Sequence, residues 1–329
     1  MRNPMTRAKW ALPAIIVLVL AASIAPAQQA LPVTENAALR YWLAFAELQD
    51  VPADKDTQAL LESVASGNAP WNETRLGAFL DQNGAAIRAM QRATALPECD
   101  WGLEYERGWR ASIAPVVKGR VLARLNVLHG MRQAARGDTT AAVESWIHGL
   151  RFAGHLSQGF SLVGALIAKA ALLSDLRALQ NAVESGSLDN TMLDRVAAAV
   201  RALPPDGLDW SAAVQYEALA GATGLKELSS TRDPRPMYEA FFGEPAPGSL
   251  TVPSAAEIAQ YQALMEKAAD ALRLGYAAAP ELAALGQQIG AIHPIIRRLL
   301  PSLTRVNEAR LETAAARQRV LDAVAARRG

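Results

Sequence analysis

Apolar residues in this chain recur three and four positions apart almost throughout, and β-branched alternation is nearly absent. A period near 3.6 lines such residues along one side of an α-helix, whereas a half-buried strand needs a period of two. That feature restricts the expected fold to the all-α class. The strongest instance is 160–184, "FSLVGALIAKAALLSDLRALQNAVE", where polar residues are sparse enough to predict a central buried helix. With 51% hydrophobic and 20% charged residues over 329 positions, the chain has ample material for a large core.

Punctuation divides the pattern. "TENAALRYWLAFAEL" opens at Thr34 as a plausible N-cap and places Leu39, Trp42, Leu43 and Ala46 on one face. "NET" at 72–74 matches a glycosylation sequon but reads better as a helix start capped by Asn72. Pro115 suits the first turn of a helix running to about Arg136, and Gly137–Asp138 then ends one helix and caps the next. Two helices joined by so short a turn form an antiparallel hairpin. The "GDTTAAVESW" turn resembles that of a tetratricopeptide repeat, but the 34-residue period does not recur. The expected architecture is an irregular bundle or α-solenoid of antiparallel helical hairpins over 28–228. A connection at 229–253 holds five prolines and a short apolar patch, "MYEAFF", expected to dock. Helices resume at 254 and form a C-terminal extension to 329.

Residues 1–27 combine Arg2, Arg7 and Lys9 with the apolar run "ALPAIIVLVLAASIA" and a small-x-small "APA". This is the pattern of a secretory signal peptide cleaved after Ala27, which implies a periplasmic or secreted protein. The alternative is an uncleaved segment anchoring the chain in the inner membrane, although the run is short for a span of roughly 20 residues. Removing those three cations takes the formal charge from +1 to −2. A near-neutral chain argues against general nucleic-acid binding. Residues 290–329 nevertheless carry a net +5, leaving −7 on 28–289. The apolar stripe of the last helix (Val306, Leu311, Val320, Leu321, Val324) is interrupted by alanines. It therefore reads as a solvated helix, or as one docked electrostatically on an acidic partner, on anionic lipid or on the acidic body. Arg317 and Arg319 are its candidate binding residues.

"LPECDWGLEYERGW" (96–109) gathers the chemistry-bearing residues. Cys99, the sole cysteine, can make no internal disulfide, and neighbouring Glu98, Asp100, Glu104 and Glu106 would oppose a thiolate. A buried thiol is the expected state. His129, His148 and His155 lie across the predicted hairpin, but no tight His–His or Glu–His spacing marks a metal site, and no cofactor motif is present. Asp100, Glu104 and Glu106 beside Trp101 and Trp109 could supply the two acids and the stacking rings of a glycosidase cleft. The other reading has Trp101 and Trp109 anchoring a connection while the acids face water. Lys169, inside "GALIAKAALL", is expected to snorkel its amine to the surface.

"LPECDWG", followed by "VLARLNVLHGMRQAARGD" and "AAVESWIHGLRFAGHLSQG", resembles a loose group of exported helical bacterial proteins in which a Pro-x-Cys-x-Trp-Gly segment precedes a helical hairpin. The resemblance covers roughly 96–185 and implies export and a helical fold, with no activity attached. The expected function is that of a non-enzymatic envelope protein binding an unknown protein or envelope component. The alternative is a glycan-active hydrolase using 98–109.

Overall fold

The computed structural model describes residues 35–49, 52, 54–274, 279–300 and 302–329. The segment read as a signal peptide and the N-cap assigned to Thr34 lie outside them. All regular secondary structure among the described residues is helical, and the only extended pairing there is an isolated bridge between Asn36 and Glu98.

Local capping starts the helices where short polar side chains can reach unpaired amides. Asn36 caps α1 (Ala37–Ala46) by accepting from Ala38 N. Asp54 opens α2 (Lys55–Ala65) and Asn72 opens α3 (Glu73–Gln82), the latter followed almost without a break by α4 (Gly84–Ala93). A 3₁₀ turn, Tyr105–Arg110, leads into α5 (Ala114–Ala135), which carries Pro115 in its first turn. Gly137, at φ +83°, lets the chain reverse, and Asp138 caps α6 (Thr139–Ser157). Three residues between packed helices impose an antiparallel pair.

α7 (Leu162–Glu184) packs along α6 and also touches α5, so three long helices form the centre of the molecule. The α5–α6 contact is close because position 130 is glycine: a Cβ there would lie 2.2 Å from the Trp146 indole nitrogen. α2, α3 and α4 cover the outer side of α5 with a smaller core containing Leu61, Leu76, Ile87 and Leu125. Arg132 of α5 pins this layer, pairing with Glu73 and Asp81 of α3.

α8 (Asn190–Arg201) and α9 (Trp210–Ser230) follow. The Pro-rich connection contains α10 (Arg235–Phe242), the "MYEAFF" patch, in which Phe241 stacks on Trp109 at 4.1 Å between ring centres. Beyond it α11 (Ala255–Arg273) packs on α9 and on α12 (Ala279–Ile292), and short α13 (Pro294–Leu299) leads to α14 (Leu303–Arg328). Helices on both sides of the connection share one continuous core.

Two expectations are corrected. In α1 the face carrying Leu39, Trp42 and Leu43 is the exposed one, at 53%, 40% and 58%. The opposite set, Ala37, Ala38, Tyr41, Ala44 and Phe45, has the same helical spacing and is the one buried. The last helix is not a solvated appendage either. α14 lies against α7 and α8, burying Val306, Ala309, Ala316, Val320 and Val324. Its alanines, read as a weak stripe, allow close packing of the helix axes. Of the three docking options for the tail, the structure shows contact with the acidic body: Arg310 with Asp206, Arg328 with Asp194, and Glu312 with Lys169.

Candidate functional site

The opening stretch is strapped beside the start of α1. Ala37 N donates to Glu98 O, and Asn36 exchanges hydrogen bonds with the Asp100 backbone. This places Cys99 and Trp101 in the interior. Trp101 stacks with Tyr41 and Phe45, at 5.5 and 5.9 Å between ring centres, and its indole N–H donates to His155 O at 2.9 Å. Such aromatic pairs add roughly 0.5–1.5 kcal/mol each beyond the area they bury. Trp109 lies between Phe241 and the backbone of α9, where Gly224 leaves the room: a Cβ would sit 2.3 Å from the indole. Both tryptophans are therefore committed to packing.

The candidate acids stay outside. Asp100, Glu104 and Glu106 are all exposed. The Asp100 carboxylate accepts from Gly102 N, and Glu104 pairs with Arg107. Trp101 is buried and Trp109 half-buried against Phe241, so the acids do not flank an open stacking ring. Cys99 is 8% exposed, and burial, followed by the nearby Asp100 charge, pushes its thiol up to about 12.

The three hairpin histidines are separated from one another by individual partners. His129 Nδ1 meets Ser145 Oγ at 3.0 Å, His148 Nδ1 meets Thr94 Oγ1 at 2.6 Å, and His155 Nδ1 meets Tyr41 Oη at 2.7 Å. Burial is the leading cause holding all three below the usual imidazole range, His155 at about 4. The Thr94–His148 pair is not arranged as nucleophile and base. Thr94 donates its hydroxyl proton to Gln91 O, so the bond to His148 needs the imidazole as donor. Among the described residues no group of three or more His, Cys, Asp or Glu could hold a metal ion.

A large concavity lies elsewhere among the described residues, between α6 and α8. It is a groove of about 920 Å³, closed at one end by residues 94–97 and at the other by the 203–209 loop. Ile147 and Leu150 of α6 and Leu203 and Leu208 of the loop give it an apolar floor. Room exists because the middle of the α8 side is small, Ala198 and Ala199 followed by Ala202, with Thr191, Asp194 and Arg195 toward its start. Most charges at the rim are already engaged. Arg195 pairs with Glu144, Asp194 with Arg328, and Asp209 caps α9 through Ala212 N. Arg151 is exposed and has no ion-pair or hydrogen-bond partner among the described residues. The α14 helix supports the α8 wall, since Arg317 donates to Val200 O at 3.1 Å.

Sequence reasoning did not find this groove. Its residues are far apart in the chain and lack any motif. The only signal was the alanine run "RVAAAVRAL" directly before a Pro-Pro-Asp-Gly turn. Of the two candidate binding arginines, Arg317 is half-buried and donates to Val200 O of α8, and Arg319 is exposed beside Gln180 and Arg177. Comparison of the chain with protein-family models, with curated proteins and with solved structures finds no match.

Proposed function

We propose that this chain is an exported, non-enzymatic binding or scaffold protein of the cell envelope, an irregular bundle of helical hairpins that holds its partner in the α6–α8 groove. Export rests on the sequence pattern of residues 1–27. The observation that carries the binding role is the groove, an apolar floor of ligand-site size with one uncompensated cation, Arg151, at its rim. A segment offering a few apolar side chains and one acidic group complements it. The glycan-hydrolase alternative has less support, because Trp101 and Trp109 are packed away and the acids at 100, 104 and 106 face solvent.

The test is site-specific photo-crosslinking in cells, with the reactive residue at Leu203 in the groove or at exposed Leu219 on α9. A discrete adduct should form from 203 and not from 219. It should vanish when Ala198→Trp fills the groove. Ala198 is exposed, so that variant should fold normally. Adducts equal at both positions, or unaffected by A198W, would sink the reading.

A further inference from the structure

The outer face of α1 has no partner among the described residues, although Leu39, Trp42 and Leu43 are all exposed there. Beside them runs a second groove of about 570 Å³, between α1 and α4, lined by Leu43, Leu96, Arg40, Arg88 and Arg92, with Glu47 the only acid among its described lining residues. None of those three arginines makes an ion pair or side-chain hydrogen bond with a described residue, and all three are exposed. Elsewhere the structure uses arginines freely in pairs, as at Arg132, Arg195, Arg298 and Arg310. A surface that joins exposed leucines and a tryptophan to uncompensated cations has the composition of a membrane-interface face.

We infer that the α1–α4 face is a peripheral docking surface for an anionic lipid bilayer, with Leu39, Trp42 and Leu43 entering the headgroup boundary and Arg40, Arg88 and Arg92 on lipid phosphates. The inference rests on the envelope location proposed above but not on the α6–α8 groove. Charge favours lipid over a second copy of the chain, because a two-fold interface on this face would set the same unpaired arginines against each other. Distance along the chain agrees. The apolar run ends at Ala25, leaving 26–36 before α1, and eleven residues can reach at most about 40 Å. Where that run is retained, α1 is the first described helix after it in sequence. Among the described residues no helix is long and apolar enough to cross a membrane.

The experiment uses the full chain carrying L43C labelled with an environment-sensitive dye. Buried Cys99 leaves the introduced thiol as the reactive one. L219C, at an exposed position of α9, is the control. Vesicles of phosphatidylcholine mixed with phosphatidylglycerol should shift the dye emission at 43 to the blue and leave 219 unchanged. The response should weaken with added salt and be small on pure phosphatidylcholine. Replacing Arg40, Arg88 and Arg92 together by Gln should weaken it on the order of a hundredfold. Circular dichroism should show the fold intact. A dye at 43 that stays in water while the protein sediments with vesicles would assign binding to the N-terminal segment and overturn the inference. Protection at 43 without vesicles, rising with protein concentration, would assign the face to a second copy. Indifference to lipid charge and to the triple variant would overturn it as well.

Discussion

The Arg310 guanidinium of α14, fully buried, lies 3.1 Å from the carboxylate of Asp206, a loop residue 104 positions earlier. Asn307 also accepts from it, and Thr313 donates to Asp206 O. The 203–209 loop forms one end of the α6–α8 groove, so the C-terminal helix fixes the shape of a site it does not line. Removing one partner of a buried pair leaves the other uncompensated, a loss of roughly 3–5 kcal/mol for full burial. Because Asp206 is partly exposed, Arg310→Ala should destabilise by about 2–4 kcal/mol. Urea unfolding measures this. Deleting 303–329 should abolish cooperative melting, because it uncovers α7; a truncated chain that melts normally would show that α14 is dispensable.

Asp175, on α7, is fully buried, and neither carboxylate oxygen has a hydrogen-bond partner. It faces Gly149 of α6, where a Cβ would lie 2.2 Å from its carboxylate. Burial alone raises its pKa well above the ordinary value. The unfolded chain ionises near the ordinary 3.9 while the folded one stays protonated, so stability falls as pH rises from about 4 toward the raised value. Asp175→Asn removes this penalty. The variant should exceed the unsubstituted protein in urea midpoint by a margin larger at pH 8 than at pH 5. A margin independent of pH would refute the assignment.

His155 acts in the opposite sense. Burial, then the Arg151 charge, lowers its pKa to about 4, while the unfolded side chain titrates near 6.5. Its contribution is therefore present above pH 6.5 and lost as pH falls from there through 4. The His155 ring resonance in an NMR titration should have its midpoint near 4. Tyr41→Phe, which removes its hydroxyl partner, should destabilise by about 1 kcal/mol without moving helix content. A midpoint near 6.5 would mean an open, solvated ring.

Cys99 should be silent. A thiol pushed to about 12 and nearly covered holds almost no thiolate at neutral pH. Native protein should label over the timescale of global unfolding, and denatured protein at once. Cys99→Ser should cost about 1–3 kcal/mol by setting a hydroxyl in an apolar cluster. Fast native labelling would contradict this placement.

The features legible in the sequence are local. Asn72 and Asp138 act as caps, Pro115 occupies a first turn, and Gly137 takes the left-handed conformation, because each depends on atoms within a few residues. The central place of 162–184 was also legible from its apolar run, although not every apolar side chain is covered: Val163 and Leu166 are exposed. Direction was not. In α1 two apolar sets share one period, and periodicity cannot say which faces inward; the room beside Tyr41 for the Trp101 ring decided that. The same holds for α14, whose alanines signal close packing only once α7 is there to receive them. The groove is further still from local rules, joining α6, α8 and two loops more than a hundred residues apart. Only the tertiary structure could place those residues together, because their proximity is set by how whole helices pack and not by any bond between near neighbours.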